Sequence, residues 1–278
     1  MDGGSHVRPA KNTNVKTNIE GVRQLVSGSP WDAVLIQEVD TRSLRSYWLN
    51  QVEYLTDGYR GSWAFGYNFK TPFVPFPIPP IGPVGSGILN MTVFTPREAT
   101  RIALPSPFSW PVRTANLKRC LLAEWIPLAG SDKELVLVNL HLEAYSSESG
   151  RAAQMRLAVD FLNAEYARGN YVIAGGDFNQ SFPGLNPELF RIKNSDYFVP
   201  GTLTQDMLQP GWRFAADTQT PSSRLLNEPY SGSYADTQLY VIDGFILSPN
   251  VRLESVKTLA DGFKYSDHHP VSIEVVLE

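Results

Sequence analysis

Residues 171–179, YVIAGGDFN, constrain the fold of this chain more than any other stretch. The apolar run at its start has the length and composition of a buried strand. Two glycines end the run, and the polar residues Asp177 and Asn179 follow at once. Open α/β folds place their ligands at the carboxyl ends of such strands. Asp and Asn are also good turn formers, so the stretch alone is compatible with a functional site or with a simple Asx turn.

Helical and strand-like patterns alternate along the chain. Apolar residues at helical spacing predict helices over residues 12–27, 43–55 and 148–168. Apolar or alternating runs predict strands over residues 31–39, 62–67, 87–94, 117–128, 134–142, 171–174, 239–247, 251–259 and within 265–277. This alternation favours a mixed α/β sandwich over an all-β fold. Because no repeat and no shift in composition marks a boundary, we expect residues 1–278 to form one domain.

Charge and cysteine content narrow the classes of partner. The net charge of −4 over 278 residues creates no overall positive field that would attract nucleic acid or an anionic membrane. A bound divalent cation could still supply positive charge locally for a phosphate substrate. Cys120 is the only cysteine, which excludes an intrachain disulfide and a cysteine metal cluster. No apolar run of the sequence reaches the length of a transmembrane helix.

The stretch from Phe69 to Pro83 is unusually rich in proline, with five prolines between Pro75 and Pro83 inclusive. Proline at this density disfavours a helix and a central strand, and it predicts an extended, polyproline-like loop. The loop is too apolar for a plain linker. Its side chains either pack back on the body of the protein, which is the interpretation we favour, or form an exposed apolar lip that contacts lipid or a partner.

Polar residues follow or interrupt several strongly apolar strands. They are Glu38, His141, Asp177 with Asn179, Asp243, and Asp267 with His268. Burying even a neutral polar group without a partner costs about 1–3 kcal/mol. Each residue alone could be explained by a turn, a cap or a satisfied core position. Together they are expected only if they converge on a shared cation or on one another.

The residue types in this set indicate which cation and which chemistry would suit it. Carboxylates and an amide without cysteine favour Mg²⁺, with Mn²⁺ as a possible substitute. Two histidines beside such a cation suit proton donation, or stabilisation of the charge on a phosphoryl group. His268 and His269 are adjacent, so on a strand only one of them can point into the site.

In order along the chain, these motifs resemble those of the endonuclease/exonuclease/phosphatase superfamily, whose fold is that of deoxyribonuclease I. The matching segments are Gln37-Glu38, His141-Leu142, Gly176-Asp177-Phe178-Asn179, Ile242-Asp243 and Ser266-Asp267-His268-His269-Pro270-Val271. The resemblance implies an α/β sandwich of two packed mixed β-sheets flanked by helices. It also implies metal-dependent hydrolysis of a phosphoester by an attacking water.

The resemblance also assigns roles to individual residues. Glu38 would be the principal metal ligand, and Asp267 would lie at the metal side. Asp177 would orient or activate the attacking water, while Asn179 would hold that water and a phosphate oxygen. The residues expected to act around the transition state are His141 and His268 as hydrogen-bond donors, with Asp243 paired to His268. Arg151 and Gln154 also match family positions; we expect them mainly to brace a loop, with Arg151 as a weaker candidate for substrate binding.

The sequence departs from the family pattern at its start. Family members begin with a strand ending in an asparagine beside the metal, and nothing before Asn12 resembles one. We therefore expect a chain that lacks its first strand, and a targeting or anchoring segment could belong to the missing part.

These motifs leave two classes of function open. One is a Mg²⁺-dependent phosphoesterase, expected to be a monomer, with nucleic acid, a sphingomyelin-type lipid or an inositol phosphate as substrate. A bacterial-style toxin subunit of the same superfamily is a further possibility within this first class. The alternative is a catalytically impaired domain of the same fold that acts as a binding module.

Overall fold

The computed structural model describes residues 12–75, 78, 80–110, 116–144, 148–226 and 230–278. The α-helices of this part of the chain are α1 (Asn12–Ser27), α2 (Gln51–Thr56) and α3 (Glu148–Ala167). The longer strands are β1 (Ala33–Asp40), β2 (Ser62–Val74), β3 (Gly82–Thr92), β4 (Glu98–Ala103), β5 (Cys120–Pro127), β6 (Glu134–His141), β7 (Tyr171–Asp177), β13 (Asp243–Leu247), β14 (Val251–Thr258) and β15 (Val271–Leu277). The short strands are β8 (Gln180–Ser181), β9 (Gly201–Thr202), β10 (Arg213–Ala215), β11 (Ser223–Arg224) and β12 (Leu239–Tyr240).

Two sheets form the centre of the molecule. The larger has six strands in the order β10-β13-β7-β6-β5-β4, and within it β6 and β7 are parallel. The smaller has three antiparallel strands in the order β1-β3-β2. A separate antiparallel hairpin joins β14 and β15. Because β1, β7 and β15 supply residues to one apolar cluster, the hairpin and the smaller sheet both pack on the larger sheet.

The hydrophobic residues fall into layers that follow this architecture. One cluster, which includes Val138 and Leu162, fills the space between the larger sheet and α3. A second, which includes Ile19 and Leu89, lies between the smaller sheet and helices α1 and α2. Asn139 on β6 is fully buried between the sheets, where its Nδ2 donates to the carbonyls of Ile36 and Leu89 at 3.2 Å each. The predicted fold class, an α/β sandwich of mixed sheets with flanking helices, is confirmed.

The predicted second helix, over residues 43–55, is wrong as a continuous element. A 3₁₀ turn spans Leu44–Ser46, and α2 begins only at Gln51. Between them Tyr47 and Trp48 take positive φ values of 54° and 63°. Left-handed backbone cannot continue a right-handed helix, so the segment breaks there.

The proline-rich segment is also different from its prediction. β2 continues to Val74 and β3 begins at Gly82, so both ends of the predicted loop pair as a hairpin. β2 tolerates Pro72 because it is an edge strand of the smaller sheet. The expectation that the apolar side chains pack on the body is wrong for Phe73 and Ile78, which are 52% and 89% exposed.

Smaller differences from the sequence predictions concern two further segments. The alternating strand β4 was not predicted, and the apolar run 239–247 is split after Tyr240 into β12 and β13. The predicted absence of a first strand concerns residues before Asn12, which lie outside the described residues. None of the helices described is both long enough and apolar enough to cross a bilayer.

A buried carboxyl group in the fold leads to a pH-dependent prediction. Glu124 on β5 is 1% exposed, and its Oε2 has no hydrogen-bond partner in the described part of the chain. Burial raises its pKa above the usual 4.5, and nearby Asn90 only partly offsets the rise. Ionised Glu124 therefore destabilises the folded state as pH rises through this raised pKa, whereas below about pH 4 the proton is bound in both states.

We expect Glu124→Gln to stabilise the protein at pH 8, by on the order of 1–3 kcal/mol, because it removes the buried charge. The gain should shrink towards pH 4. Urea unfolding at several pH values measures it, with Glu188→Gln as the control, since Glu188 is an exposed carboxylate. A gain that does not change with pH would contradict the prediction.

Candidate active site

Three neighbouring strands of the larger sheet end in a row of polar side chains. His141 on β6 is in register with Asp177 on β7, and Asp177 is in register with Asp243 on β13. Residues in register on adjacent strands point to the same face of a sheet. Nε2 of His141 lies 3.3 Å from Oδ2 of Asp177. All three residues are buried. The strands therefore gather at one edge of the sheet three groups that are far apart in sequence.

A tight turn places Asn179 beside this row. Its backbone has a left-handed φ of 51°, and its amide N–H donates to Oδ1 of Asp177 at 2.8 Å. Its side-chain Nδ2 donates to the carbonyl of Leu142 at 2.9 Å and lies 3.3 Å from Oδ2 of Asp177. The Asx turn, one of the two alternatives that the sequence left open, is present, and it lies beside the row of polar side chains. The turn fixes the Asp177 carboxylate.

His268 approaches the row from the loop before β15. Its Nδ1 lies 2.9 Å from Oδ2 of Asp243. The same carboxylate oxygen accepts a hydrogen bond from the hydroxyl of Ser222 at 2.7 Å. That hydroxyl in turn accepts the backbone N–H groups of Ile242 and Asp243, at 3.0 and 3.1 Å. Oδ2 of Asp243 is therefore held by Ser222 and in turn fixes the orientation of the His268 imidazole.

The electrostatic environment gives these groups different protonation states. Burial, reinforced by the charge of Asp243, raises the pKa of Asp177 to about 7. Burial also lowers the pKa of His141 well below 6.5, and the positive charge of Arg119 acts in the same direction. For His268 burial lowers the pKa, but the ion pair with Asp243 outweighs it and raises the pKa well above 6.5. At neutral pH the site thus combines a carboxyl group near its titration point, a neutral imidazole and an imidazolium.

Glu38 and Asp267 are not members of the group of described residues that could share one ion. The side chains of Asp177, Asp243 and His268 offer ligand atoms within 4.8 Å of one another, which makes them the metal-compatible cluster of the described residues. Glu38 is exposed, at a β-bulge where the register with β3 shifts between Ile36 and Val39. Its φ is 57°. Bulges beside sites commonly re-aim a side chain, and this one gives Glu38 a backbone conformation that a regular strand does not have.

Arg45 interacts electrostatically with both predicted metal ligands. Its guanidinium binds both oxygens of Asp40, at 2.9 and 3.0 Å. Burial lowers its pKa, but Asp40, and more weakly Glu38 and Asp267, raise it above the usual value. Glu38 and Asp267 therefore lie within electrostatic range of one cation, although they do not join the three-residue cluster.

The remaining candidates sit at the border of the site. Nη1 of Arg151 lies 3.4 Å from the carbonyl of Ala144. Gln154 accepts the backbone N–H of Glu143 at 3.0 Å and donates to the carbonyl of Pro105 at 2.9 Å. These contacts brace the loop after β6, and a role of Arg151 in substrate binding stays a prediction.

His269 points away from the site. Its Nδ1 lies 2.8 Å from the carbonyl of Pro221, and its ring stacks on Phe263 with 3.7 Å between the centroids.

Sequence reasoning missed the two serines of the site, Ser222 and Ser223, and the arginine Arg45. Ser222 and Ser223 lie in a loop-rich segment where serine is common and no periodic pattern singles them out. Arg45 lies in the segment that was predicted as a helix, where a single arginine does not stand out. Their contacts join segments that are far apart in sequence, and local sequence patterns do not predict such contacts.

Several solved structures share this fold. An endonuclease/exonuclease/phosphatase from Beutenbergia cavernae DSM 12333 is 17% identical with a TM-score of 0.62; the alignment covers 93% of this chain and 66% of that one. D. rerio TDP2 complexed with a single-strand DNA product is 16% identical with a TM-score of 0.61, covering 95% and 93%. A Bacteroides thetaiotaomicron VPI-5482 mannosyl-6-phosphatase is 16% identical with a TM-score of 0.61, covering 98% and 97%. At these identities the likeness establishes the fold.

The class defined by this fold and site is that of the deoxyribonuclease I-like α/β sandwiches. The sequence model of the Endonuclease/Exonuclease/phosphatase family matches residues 12–268. The chain belongs to this family, whose members are hydrolases of phosphate esters. A comparison with curated proteins finds no match.

Proposed function

We propose that this protein is a Mg²⁺-dependent phosphoesterase in which Asp177 activates the attacking water. The observation that carries the proposal is the row of His141, Asp177 and Asp243, with His268 held against it. A base with a pKa near neutrality can accept a proton from water at physiological pH. An imidazolium beside it can stabilise the negative charge that develops on the phosphoryl oxygens.

The donors at this end of the sheet fit a hard cation. Glu38 and Asp267 supply carboxylate oxygens, the ligands that Mg²⁺ prefers, and the sequence offers no cysteine ligand here. When bound, the ion would neutralise phosphate charge and lower the pKa of a coordinated water. Mn²⁺ would be a usable substitute. In this proposal Asn179 positions the water and a phosphate oxygen, and His141 donates a hydrogen bond.

The chemistry of the substrate is proposed more broadly. One structural neighbour was solved with a single-strand DNA product and another is a mannosyl-6-phosphatase, so both phosphodiesters and phosphomonoesters are candidates. A phospholipid headgroup is a further candidate substrate. Phe73 and Ile78 are exposed at the β2–β3 hairpin, and such apolar side chains can enter a bilayer interface. A screen of plasmid DNA, RNA, sphingomyelin vesicles, inositol phosphates and sugar phosphates, each with and without chelator, separates them.

Hydrolysis of bis-p-nitrophenyl phosphate tests the reaction class. We expect Mg²⁺-dependent release of nitrophenol that a chelator abolishes. His268→Ala should slow it by about 10²-fold or more, because the charge facing the phosphoryl group is lost. The control is Lys257→Ala, at an exposed residue of β14. Equal rates for the wild type, Asp177→Asn and His268→Ala would contradict the enzymatic assignment and favour the binding module.

The binding-module alternative has one specific observation in its favour. Arg45 places a positive charge within electrostatic range of Glu38 and Asp267, and this charge would oppose the binding of a cation by the two carboxylates. A thermal-shift titration with Mg²⁺ tests it directly. A rise in melting temperature that Asp177→Asn and Glu38→Gln reduce would support the metal site, and no rise would support the alternative.

A further inference from the structure

Ser223 lies against the nitrogen of His268 that Asp243 does not hold. Oγ of Ser223 is 3.2 Å from Nε2 of His268, and Ser223 is 3% exposed. The two residues form an antiparallel bridge between β11 and the loop before β15. The backbone hydrogen bonds that flank this bridge run from Arg224 N to Asp267 O at 3.1 Å and from His269 N to Ser222 O at 2.7 Å.

This backbone pattern explains the side-chain contact. A pair flanked in this way is a non-hydrogen-bonded pair, in which the two Cα atoms approach most closely and both side chains lie on one face. The contact between Ser223 and His268 is therefore built into the backbone. It completes a continuous chain of hydrogen-bonding groups: Ser222, Asp243, His268 and Ser223.

The position of Ser223 limits what His268 can do directly. Nδ1 is engaged by Asp243, so Nε2 is the nitrogen left for a substrate. Within the described part of the chain, Ser223 occupies that nitrogen, and Nε2 is the partner of its hydroxyl. A hydroxyl has one proton to donate and two lone pairs to accept with. Ser223 can thus accept from His268 and still donate to a substrate oxygen.

We propose that Ser223 is a further catalytic residue, whose hydroxyl contacts the leaving-group oxygen and delivers the proton of His268 to it. This inference rests on the proposed phosphoesterase function. As the oxygen of water forms its bond to phosphorus, the bond from phosphorus to the leaving oxygen breaks. The leaving oxygen takes the proton of the Ser223 hydroxyl, and Oγ takes the proton from Nε2 of His268. The proton of the attacking water passes to Asp177.

The test uses leaving groups of graded acidity. Nitrophenolate leaves without a proton, whereas phenolate needs one. For Ser223→Ala we expect at most about a threefold fall in kcat on bis-p-nitrophenyl phosphate, and a fall of about 10²-fold on diphenyl phosphate. KM should change little on either. Ser223→Thr keeps a hydroxyl and should restore the rate on diphenyl phosphate.

Controls separate this role from a structural one. Ser255→Ala, at a serine on β14 outside the site, should behave as the wild type on both esters. A fall in kcat that is equal on the two esters, or absent on both, would overturn the proposal, as would a Thr variant as impaired as Ala. If Ser223→Ala does not fold, Ser223→Gly, which also lacks the hydroxyl, takes its place and should show the same selective fall on diphenyl phosphate. A wild type that hydrolyses neither ester removes the proposed function, and this inference with it.

Discussion

Asp177→Asn should slow hydrolysis of bis-p-nitrophenyl phosphate about 10²–10⁴-fold, the range expected when a general acid–base group is lost. The amide keeps the shape of the carboxylate, and its oxygen can still accept the N–H of Asn179 that Oδ1 accepts at 2.8 Å. It cannot accept a proton from water. The loss should therefore appear in kcat, and the circular dichroism spectrum should be unchanged.

The thermal stability of Asp177→Asn provides a second test of the same residue. Burial raises the pKa of Asp177 to about 7, above the usual 3.8, so ionised Asp177 destabilises the folded state once the pH exceeds both values. Without divalent cation, Asp177→Asn should melt at a higher temperature than the wild type at pH 8, and the difference should shrink towards pH 4. Asp132→Asn is the control, because its carboxylate is 86% exposed on a turn. A variant that is inactive and also unstable at every pH would point to a damaged fold instead.

Gly176→Ala should destabilise the protein by roughly 3 kcal/mol or more, or prevent folding, because strain and overpacking act at the same position. Gly176 has a φ of 142°, which residues with a Cβ rarely adopt. A Cβ built on it would lie 2.0 Å from the carbonyl oxygen of Leu140 on β6. That oxygen belongs to a central strand of the larger sheet and cannot move without breaking its pairing.

Gly184→Ala is the matched control for this prediction. Gly184 also has a positive φ, 81°, but a Cβ there would meet nothing within 4 Å. Gly184→Ala should lower the free energy of unfolding by only about 1–2 kcal/mol, the penalty of left-handed backbone alone. Urea unfolding followed by tryptophan fluorescence measures both variants. If Gly176→Ala were no less stable than Gly184→Ala, the close approach of β6 and β7 would not be the reason for glycine at this position.

Local pattern determined most of the secondary structure. α1 was predicted with its observed ends, since apolar residues such as Val15 and Ile19 recur at helical spacing and Gly28 follows. β7 was predicted because a short apolar run bounded by turn residues is typical of a buried strand. The break at Tyr47 and Trp48 was not predictable, because nothing in their residue types requires positive φ. The pairing of β2 was missed because the tolerance of proline depends on being an edge strand, a property of the sheet.

For the candidate site as well, some features follow from the sequence and others only from the tertiary structure. The sequence by itself determined which residues are chemically able to act, because a carboxylate, amide or imidazole after an apolar strand stands out in any local window. Only the tertiary structure decided which of them meet. Strand register aligned His141, Asp177 and Asp243, and a β-bulge between Ile36 and Val39 gave Glu38 its positive φ. Ser223 became part of the site through its pairing with His268, 45 residues away, a contact between distant segments that no local pattern encodes.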